Sequence, residues 1–207
     1  MTVDAVIFDI GNVLIEWQPE RYYDREMGEA ARKALFAEVD LHGMNDEIDK
    51  GGHFRDVIYA TAEANPIHRD AIRRWYDDWI VLASPVIPQS VRCLRALRSK
   101  GVLVFSLTNF GIQSFDFATS IYRFLEEFDK SYVSGRMGVI KPDPVIYQMV
   151  EEDCGIAPER LLFADDRVDN ISEARRRGWQ THLFEHPQGW ADRLVAEGLL
   201  TVEDTLP

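Results

Sequence analysis

Several residues that could carry out chemistry lie directly after short apolar runs of the chain. Asp9 follows residues 3–8, and Asp165 and Asp166 follow the run that begins at residue 161. Apolar runs of this length that end in turn residues are typical of buried strands. Adjacent carboxylates repel one another strongly unless a cation holds them together. The pattern therefore favours a hard divalent metal such as Mg²⁺ near the strand ends.

Two further runs fit the same scheme, and helical patterns lie between them. Residues 102–107 end at Thr108 and Asn109, and residues 181–184 form a weaker strand pattern. Helices are predicted over residues 89–99, 144–152 and 170–177. Alternating strands and helices predict an α/β fold with a doubly wound parallel sheet. In such sheets ligands bind at the carboxyl ends of the strands, which is where the polar residues lie.

The stretch between the first two strands has a different character. Residues 16–82 contain no strand pattern and are rich in Glu, Arg, Ala, Tyr and Trp. Helices are predicted at residues 19–40, 45–50, 54–64 and 68–82. We therefore expect a core domain formed by residues 1–15 and 84–207 and a helical cap domain formed by residues 16–83. An insertion directly after the first strand is well placed to act as a lid.

The overall composition limits the classes of partner. The chain has 207 residues, of which 46% are hydrophobic, and its formal net charge is −12. An acidic surface repels nucleic acid and anionic lipid, so neither is expected as a partner, whereas a small anion can still bind a locally basic pocket. Cys93 and Cys154 lack metal-ligand spacing. No signal peptide or membrane span is predicted, so we expect a cytoplasmic protein. Whether it is a monomer or a homodimer stays open.

Four motifs occur in a fixed order at these positions. They are Phe8-Asp9-Ile10-Gly11-Asn12-Val13, Leu107-Thr108-Asn109, Ile140-Lys141-Pro142 and Phe163-Ala164-Asp165-Asp166, with Asn170 four residues later. The combination resembles the haloacid dehalogenase-like (HAD-like) hydrolase superfamily from residue 3 to about residue 178. The resemblance implies a Rossmann-like core with an inserted helical cap. It also implies an Mg²⁺-dependent phosphatase that acts on a small phosphate ester.

The resemblance assigns the reacting groups. Asp9 would be the nucleophile that forms an aspartyl-phosphate. Mg²⁺ would be held by Asp9, the Gly11 backbone carbonyl and Asp166. Lys141 would add a fixed positive charge beside the nucleophile and the phosphoryl group.

The supporting groups are assigned in the same way. Thr108, Asn109 and the region of Asn12 would bind the phosphoryl oxygens. Asp165 would orient the catalytic lysine, and Asn170 would hold water molecules of the metal.

One position departs from the usual phosphatase pattern. Those enzymes carry a second Asp two residues after the nucleophile, which protonates the leaving group, and here that position is Gly11. Such a group is typically worth about 10²–10⁴-fold in rate. The run Phe-Asp-x-Gly-Asn-Val is similar to that of bacterial α-glucose-1-phosphate phosphatases, whose anomeric leaving group needs less protonation. The sequence therefore suggests sugar phosphates as substrates.

Two other functions stay open. A 2-haloacid dehalogenase also uses an Asp nucleophile and lacks the second Asp, but it needs no metal and has small neutral residues where this chain has Asp165 and Asp166. A non-catalytic relative would keep the fold as a binding module. The intact Asp9, Lys141 and Asp166 favour a metal-dependent phosphatase over both.

Residues of the predicted cap are candidates for substrate contacts. Trp17, Arg21 and Tyr23 follow the catalytic turn and could line the mouth of the pocket, or they could pack within the cap. His42 and His53 could supply the missing acid–base group. Trp75, Tyr76 and Trp79 lie at helical spacing, which favours the cap interior over a sugar-stacking surface.

Overall fold

A parallel sheet of five strands forms the centre of the protein, as the sequence predicted. The computed structural model describes residues 2–206. The strands are β1 (Ala5–Phe8), β2 (Leu103–Thr108), β3 (Lys130–Val133), β4 (Leu161–Asp165) and β5 (Gln180–Leu183). Their order across the sheet is β3-β2-β1-β4-β5, and all neighbouring pairs are parallel. The order reverses beside β1, so the crevice expected for a ligand lies at the carboxyl ends of β1 and β4.

Both faces of β1 are buried, which explains its continuous apolar sequence. Successive side chains of a strand point to opposite faces. Val6 and Phe8 accordingly belong to one apolar cluster, and Ala5 and Ile7 belong to another on the opposite face. All four side chains are fully buried. The residue that follows this strand is therefore fixed by packing on both sides.

Residues 16–83 form a helical segment, as predicted. Its helices are α1 (Pro19–Met27), α2 (Glu29–Glu38), α3 (Leu41–Asp49), α4 (Phe54–Ala64), α5 (Arg69–Asp77) and α6 (Trp79–Leu82). The helix predicted over residues 19–40 is divided at Gly28, which has φ 84° and lies outside the helical region. The segment's apolar residues join the same cluster as Val6 and Phe8. The apolar packing of these helices is therefore continuous with the core, which they contact through α3 with α9 (Ser134–Met137) and α4 with α8 (Ile112–Ile121).

The remaining helices surround the sheet. They are α7 (Pro88–Ser99), α8 (Ile112–Ile121), α9 (Ser134–Met137), α10 (Pro144–Cys154), α11 (Val168–Arg176), α12 (Pro187–Ala196) and α13 (Val202–Thr205). Strand β3 was not predicted, because Lys130 and Ser131 are exposed and only its last two residues are buried. Within residues 2–206, no helix is both long enough and apolar enough to cross a bilayer.

Three glycines allow the end of α3 to approach the loops that follow β2 and β3. A Cβ atom on Gly111 would lie 2.4 Å from Cγ2 of Ile48. A Cβ atom on Gly51 would lie 2.9 Å from the carbonyl oxygen of Gly135, and one on Gly135 would lie 2.9 Å from the carbonyl oxygen of Phe110. The helical segment and the core thus meet at van der Waals distance beside the carboxyl edge of the sheet.

We expect Gly135→Ala to destabilise the protein by about 1–3 kcal/mol, because the added methyl group would press on backbone atoms that cannot rotate away. Chemical unfolding followed by circular dichroism measures this loss. Gly189→Ala is the control, since its methyl group would meet side-chain rather than backbone atoms, those of the exposed His186 ring that accepts from the backbone N–H of Gly189. Equal stabilities for the two variants would show that the contact at Gly135 is not tight.

Candidate active site

Asp9 lies at the carboxyl end of β1 and is held there by the sheet. Its backbone N–H donates to the carbonyl oxygen of Ala164 at 2.9 Å, and its Oδ1 accepts from the backbone N–H of Ile10 at 2.7 Å. Only 7% of the residue is exposed. The carboxylate therefore has a fixed position at the floor of the crevice.

Lys141 places a positive charge directly beside Asp9. Its Nζ lies 3.0 Å from Oδ1 of Asp9 and donates to Oδ2 of Asp165 at 2.7 Å and to the carbonyl oxygen of Leu107 at 2.8 Å. An ammonium group has three N–H donors, so these partners use all of them. The side chain of Asn109 binds both the N–H and the carbonyl of Lys141, at 2.8 and 2.9 Å. The amide of Asn109 thus positions the lysine backbone.

Asp165 lies behind Lys141 and is fully buried. Its carboxylate accepts from the backbone N–H of Arg167 at 2.8 Å and from Nδ2 of Asn170, which is 3.0 Å from each carboxylate oxygen. Oδ1 of Asn170 is buried and has no hydrogen-bond partner in residues 2–206. A buried acceptor of this kind normally finds a donor such as an ordered water molecule.

The turn after β1 holds the third carboxylate. Nδ2 of Asn12 donates to Oδ2 of Asp166 at 2.9 Å, while Oδ1 of Asn12 accepts from the backbone N–H of Trp17 at 2.9 Å. Asn12 has φ 54°, a left-handed conformation that asparagine adopts more readily than most residues. Its side chain therefore connects the turn to Asp166.

The charges of this cluster do not balance without a cation. Carboxylate oxygens of Asp9, Asp165 and Asp166 lie within 4.8 Å of one another, and Lys141 supplies one positive charge among them. Burial raises the pKa of Asp9, and repulsion by the two other carboxylates adds to that effect, although Lys141 opposes it. A divalent cation would compensate the two excess negative charges. Carboxylate oxygens, together with the amide oxygen Oδ1 of Asn170, are the kind of ligands and water acceptors that suit Mg²⁺.

A cavity of about 370 Å³ lies over this cluster, which is large enough for a small organic ligand. It brings together most of the predicted site residues: Asp9, Gly11, Asn12, Trp17, Thr108, Asn109, Lys141, Asp166 and Asn170. Two predicted cap residues do not line it. Arg21 binds Glu16 and the carbonyl oxygen of Ser84, and the hydroxyl of fully buried Tyr23 donates to the carbonyl oxygen of Ala71.

Helix α3 contributes residues that the sequence analysis did not select. Asn45 and Asp49 line the cavity, and Nδ2 of Asn45 donates to Oδ2 of Asp49 at 2.8 Å. Their spacing places them on one helix face, but polar residues on a helix usually face solvent, so no local signal distinguished them. His42 also lines the cavity, whereas His53 does not.

We expect Lys141→Met to destabilise the protein by about 3–5 kcal/mol at neutral pH, because buried Asp9 and Asp165 would lose the one ion-pair partner they have within residues 2–206. Denaturant unfolding in the presence of a metal chelator measures the loss. Lys130→Met is the control, since its exposed pair with Asp153 is worth at most about 1 kcal/mol. A loss no larger than that of the control would contradict the proposed charge balance.

Comparisons with known proteins identify relatives along most of the chain. The D-ribitol-5-phosphate phosphatase of Bacteroides thetaiotaomicron is 24% identical to this chain, over 93% of this chain and 97% of the relative. A HAD family enzyme from the same organism, solved with magnesium and inorganic phosphate, has a TM-score of 0.67 at 25% identity, with 87% of this chain and 93% of that chain covered. The L-2-haloacid dehalogenase of Xanthobacter autotrophicus, at 18% identity, covers 97% of this chain and 86% of its own with a TM-score of 0.61, and shares the fold.

The family assignment rests on most of the chain. The sequence profile of the haloacid dehalogenase-like hydrolases matches residues 3–178, which include all four motifs. The chain therefore belongs to the haloacid dehalogenase-like hydrolase family.

Proposed function

We propose that this protein hydrolyses small phosphomonoesters in an Mg²⁺-dependent reaction through an aspartyl-phosphate on Asp9. The observation that carries the proposal is the group of three carboxylates, two of them buried and that of Asp166 partly buried, with a single lysine at the carboxyl ends of β1 and β4. A related HAD enzyme binds magnesium and phosphate, and a relative of similar length is a phosphatase of a polyol phosphate. Both support phosphate chemistry at this site.

The nucleophile must approach a phosphate dianion, which repels it. Asp9, the Gly11 carbonyl and Asp166 would hold Mg²⁺, which supplies positive charge to offset that repulsion. Lys141 contributes a second positive charge that is already fixed 3.0 Å from the nucleophile. Because this charge is buried and needs no reorganisation, it stabilises the charge that develops during transfer.

The residues around the nucleophile then have distinct roles. Thr108 ends β2, is 1% exposed and lines the cavity, so its hydroxyl is placed to donate to a phosphoryl oxygen. Asn109 and Asp165 fix the backbone and the ammonium group of Lys141, respectively. Oδ1 of Asn170 is available to accept from a metal-bound water. Asn12 acts by orienting Asp166, in addition to any contact of the turn with phosphate.

The helical segment would select the substrate. We propose that residues 16–83 act as a cap on a core of residues 1–15 and 84–207, with Trp17 and Trp79 at the cavity wall. The cavity volume suits a phosphate ester of a small polyol or sugar. Sugar 1-phosphates stay a prediction of the first motif alone.

Dehalogenation is the second candidate, because a dehalogenase shares the fold. It requires no cation, so in such a site only the single charge of Lys141 would offset the repulsion of Asp9 by buried Asp165 and partly buried Asp166. The charge of the site therefore favours phosphate transfer. The three clustered carboxylates beside Lys141 also favour a catalytic protein over a non-catalytic binding module.

Asp9→Asn should abolish phosphate release from every ester that the parent hydrolyses, because the amide cannot act as the nucleophile. A phosphate-release assay over polyol phosphates, sugar phosphates and 2-haloacids, with Mg²⁺ and with chelator, tests this expectation. Asp4→Asn is the control, since Asp4 lies before the other end of β1 and pairs with Arg160. Parent-like activity of Asp9→Asn, or halide release that is insensitive to chelator, would overturn the proposal.

Asp166→Ala should raise the Mg²⁺ concentration needed for half-maximal activity by tenfold or more, since one ligand of the metal and the partner of Asn12 are lost. The measurement is a titration of activity with Mg²⁺. Asp169→Ala is the control, because Asp169 pairs with exposed Arg167. An unchanged requirement in the Asp166 variant would exclude that residue as a ligand.

A further inference from the structure

The proposed phosphatase lacks an acid–base group at the position where the family usually has one. Position 11 is a glycine, and an alcohol leaves phosphorus readily only when it receives a proton. The structure contains another carboxyl group in the cavity, contributed by the helical segment. We propose that Asp49, the last residue of α3, is the acid–base residue of this enzyme. The inference rests on the proposed phosphatase function.

Asp49 is held at the cavity by contacts with the core. The hydroxyl of Ser134 donates to the carbonyl oxygen of Asp49 at 2.6 Å, and the same hydroxyl accepts from the backbone N–H of Phe110 at 2.9 Å. Ser134 begins α9, and Phe110 belongs to the loop that follows Thr108 and Asn109. The residue is therefore fixed to the loops that form the phosphate side of the cavity.

Close backbone packing supports the same placement. The neighbouring Ile48 lies so close to Gly111 that a Cβ atom there would overlap it, and Gly51 packs on the carbonyl oxygen of Gly135. Larger residues at Gly111 or Gly51 would push the end of α3 away from the sheet. The three glycines thus allow Asp49 to reach the cavity that Asp9 also lines.

The surroundings of Asp49 favour its protonated form. Only 7% of the residue is exposed, and burial raises the pKa of its carboxyl to about 8, with repulsion from Asp46 and Asp9 adding to the shift. The backbone N–H of Gly111 and the positive charge of Lys141 act in the opposite direction and lower the pKa of this carboxyl. A carboxyl group of this kind can give up a proton and take one back near neutral pH, as an acid–base catalyst must.

Other candidates in the helical segment fit less well. The side chain of His42 is 62% exposed and pairs with Glu20, and His53 does not line the cavity. Asp46 lines the cavity but is exposed to solvent, so it lacks the buried setting that distinguishes Asp49.

The proposed steps balance as follows. In the first, Asp9 attacks phosphorus, the P–O bond to the alcohol breaks, and the proton of Asp49 moves to the leaving oxygen. In the second, water attacks the aspartyl-phosphate, its proton moves to the Asp49 carboxylate, and the bond between Asp9 and phosphorus breaks. One ester and one water give one alcohol and one phosphate, and Asp49 ends protonated.

Asp49→Asn is the test variant, because asparagine has the shape of the protonated acid and can keep the contact with Asn45. With an alkyl phosphate we expect kcat/KM to fall by about 10²–10⁴-fold. With 2,4-dinitrophenyl phosphate, whose leaving group needs no proton, the first step should stay fast and the second should be slow. Rapid mixing should then show a burst of about one dinitrophenolate per chain, with trapped aspartyl-phosphate.

Glu47→Gln is the matched control, since it removes an exposed carboxylate from the same helix outside the cavity. It should keep the parent rates on both esters. Parent-like activity of Asp49→Asn on the alkyl phosphate would overturn the inference. So would an equal rate loss on both esters without a burst, which would indicate only a structural role.

Rescue gives an independent readout. Within residues 2–206, a Cβ atom at position 11 would contact the Cβ of Trp17 alone, at 3.9 Å, so the backbone there accepts a side chain without overlap at Cβ. With the alkyl phosphate, the double variant Gly11→Asp, Asp49→Asn should have a kcat/KM at least tenfold higher than that of Asp49→Asn alone. If the double variant is no faster than Asp49→Asn although its Mg²⁺ requirement is unchanged, the rate loss in Asp49→Asn is not caused by a missing proton donor.

A stability measurement separates folding from chemistry. The native chain keeps the Asp49 proton up to about pH 8, whereas an unfolded Asp releases it near pH 4, so the parent loses stability as pH rises through this range. Asp49→Asn should lose less stability over the same range. If the parent shows no phosphatase activity at all, the proposed function fails, whereas an active parent with an unaffected Asp49→Asn refutes only the role of Asp49.

Discussion

The site depends on the ion pairs that the buried ammonium group of Lys141 forms with two carboxylates. The ammonium group binds Asp9 and Asp165 at the point where β1 and β4 end, and its third hydrogen bond goes to the carbonyl oxygen of Leu107. Removing these charges from water is costly, and a buried ion pair seldom repays that cost. The arrangement is thus better understood as a prepared electrostatic environment than as a source of stability.

The apolar strands make this environment possible. The four residues of β1 have no exposed surface and pack on both faces, so the backbone that carries Asp9 cannot relax to relieve charge repulsion. Helix α11 supplies Asn170, which binds both oxygens of Asp165. Apolar packing of the core therefore holds the carboxylates close together, although their mutual repulsion alone would drive them apart. Active sites commonly contain such unfavourable arrangements.

The sequence predicted the parts of this arrangement that depend on local chemistry. Apolar runs identified the buried strands β1, β2 and β4, and the polar residues directly after them were those that meet at the cavity. Strand β3 was not predicted, because two of its four residues are exposed and its sequence is therefore not a continuous apolar run. The break at Gly28 was missed as well, because a glycine within an otherwise helical pattern does not by itself end a helix.

Long-range packing determined what the sequence analysis missed. Tyr23 and Arg21 lie in the right segment, but helix packing turns the first into the interior and the second toward Ser84. Asp49 shows the opposite case, since nothing in its local sequence distinguishes it from Asp46. Its burial arises only where α3 meets the loops after β2 and β3, and that contact depends on glycines far away along the chain.

The contact of α3 with the loops after β2 and β3 would also control when proton transfer can occur. Asp9 belongs to the sheet and Asp49 to the helical segment, so the nucleophile and the proton donor would be brought together only when the segment is packed against the core. Any movement of the segment that admits substrate would also separate these two groups and expose Asp49 to water, which would lower the pKa of its carboxyl. Proton transfer would therefore be confined to the closed form, in which the leaving group is shielded from solvent.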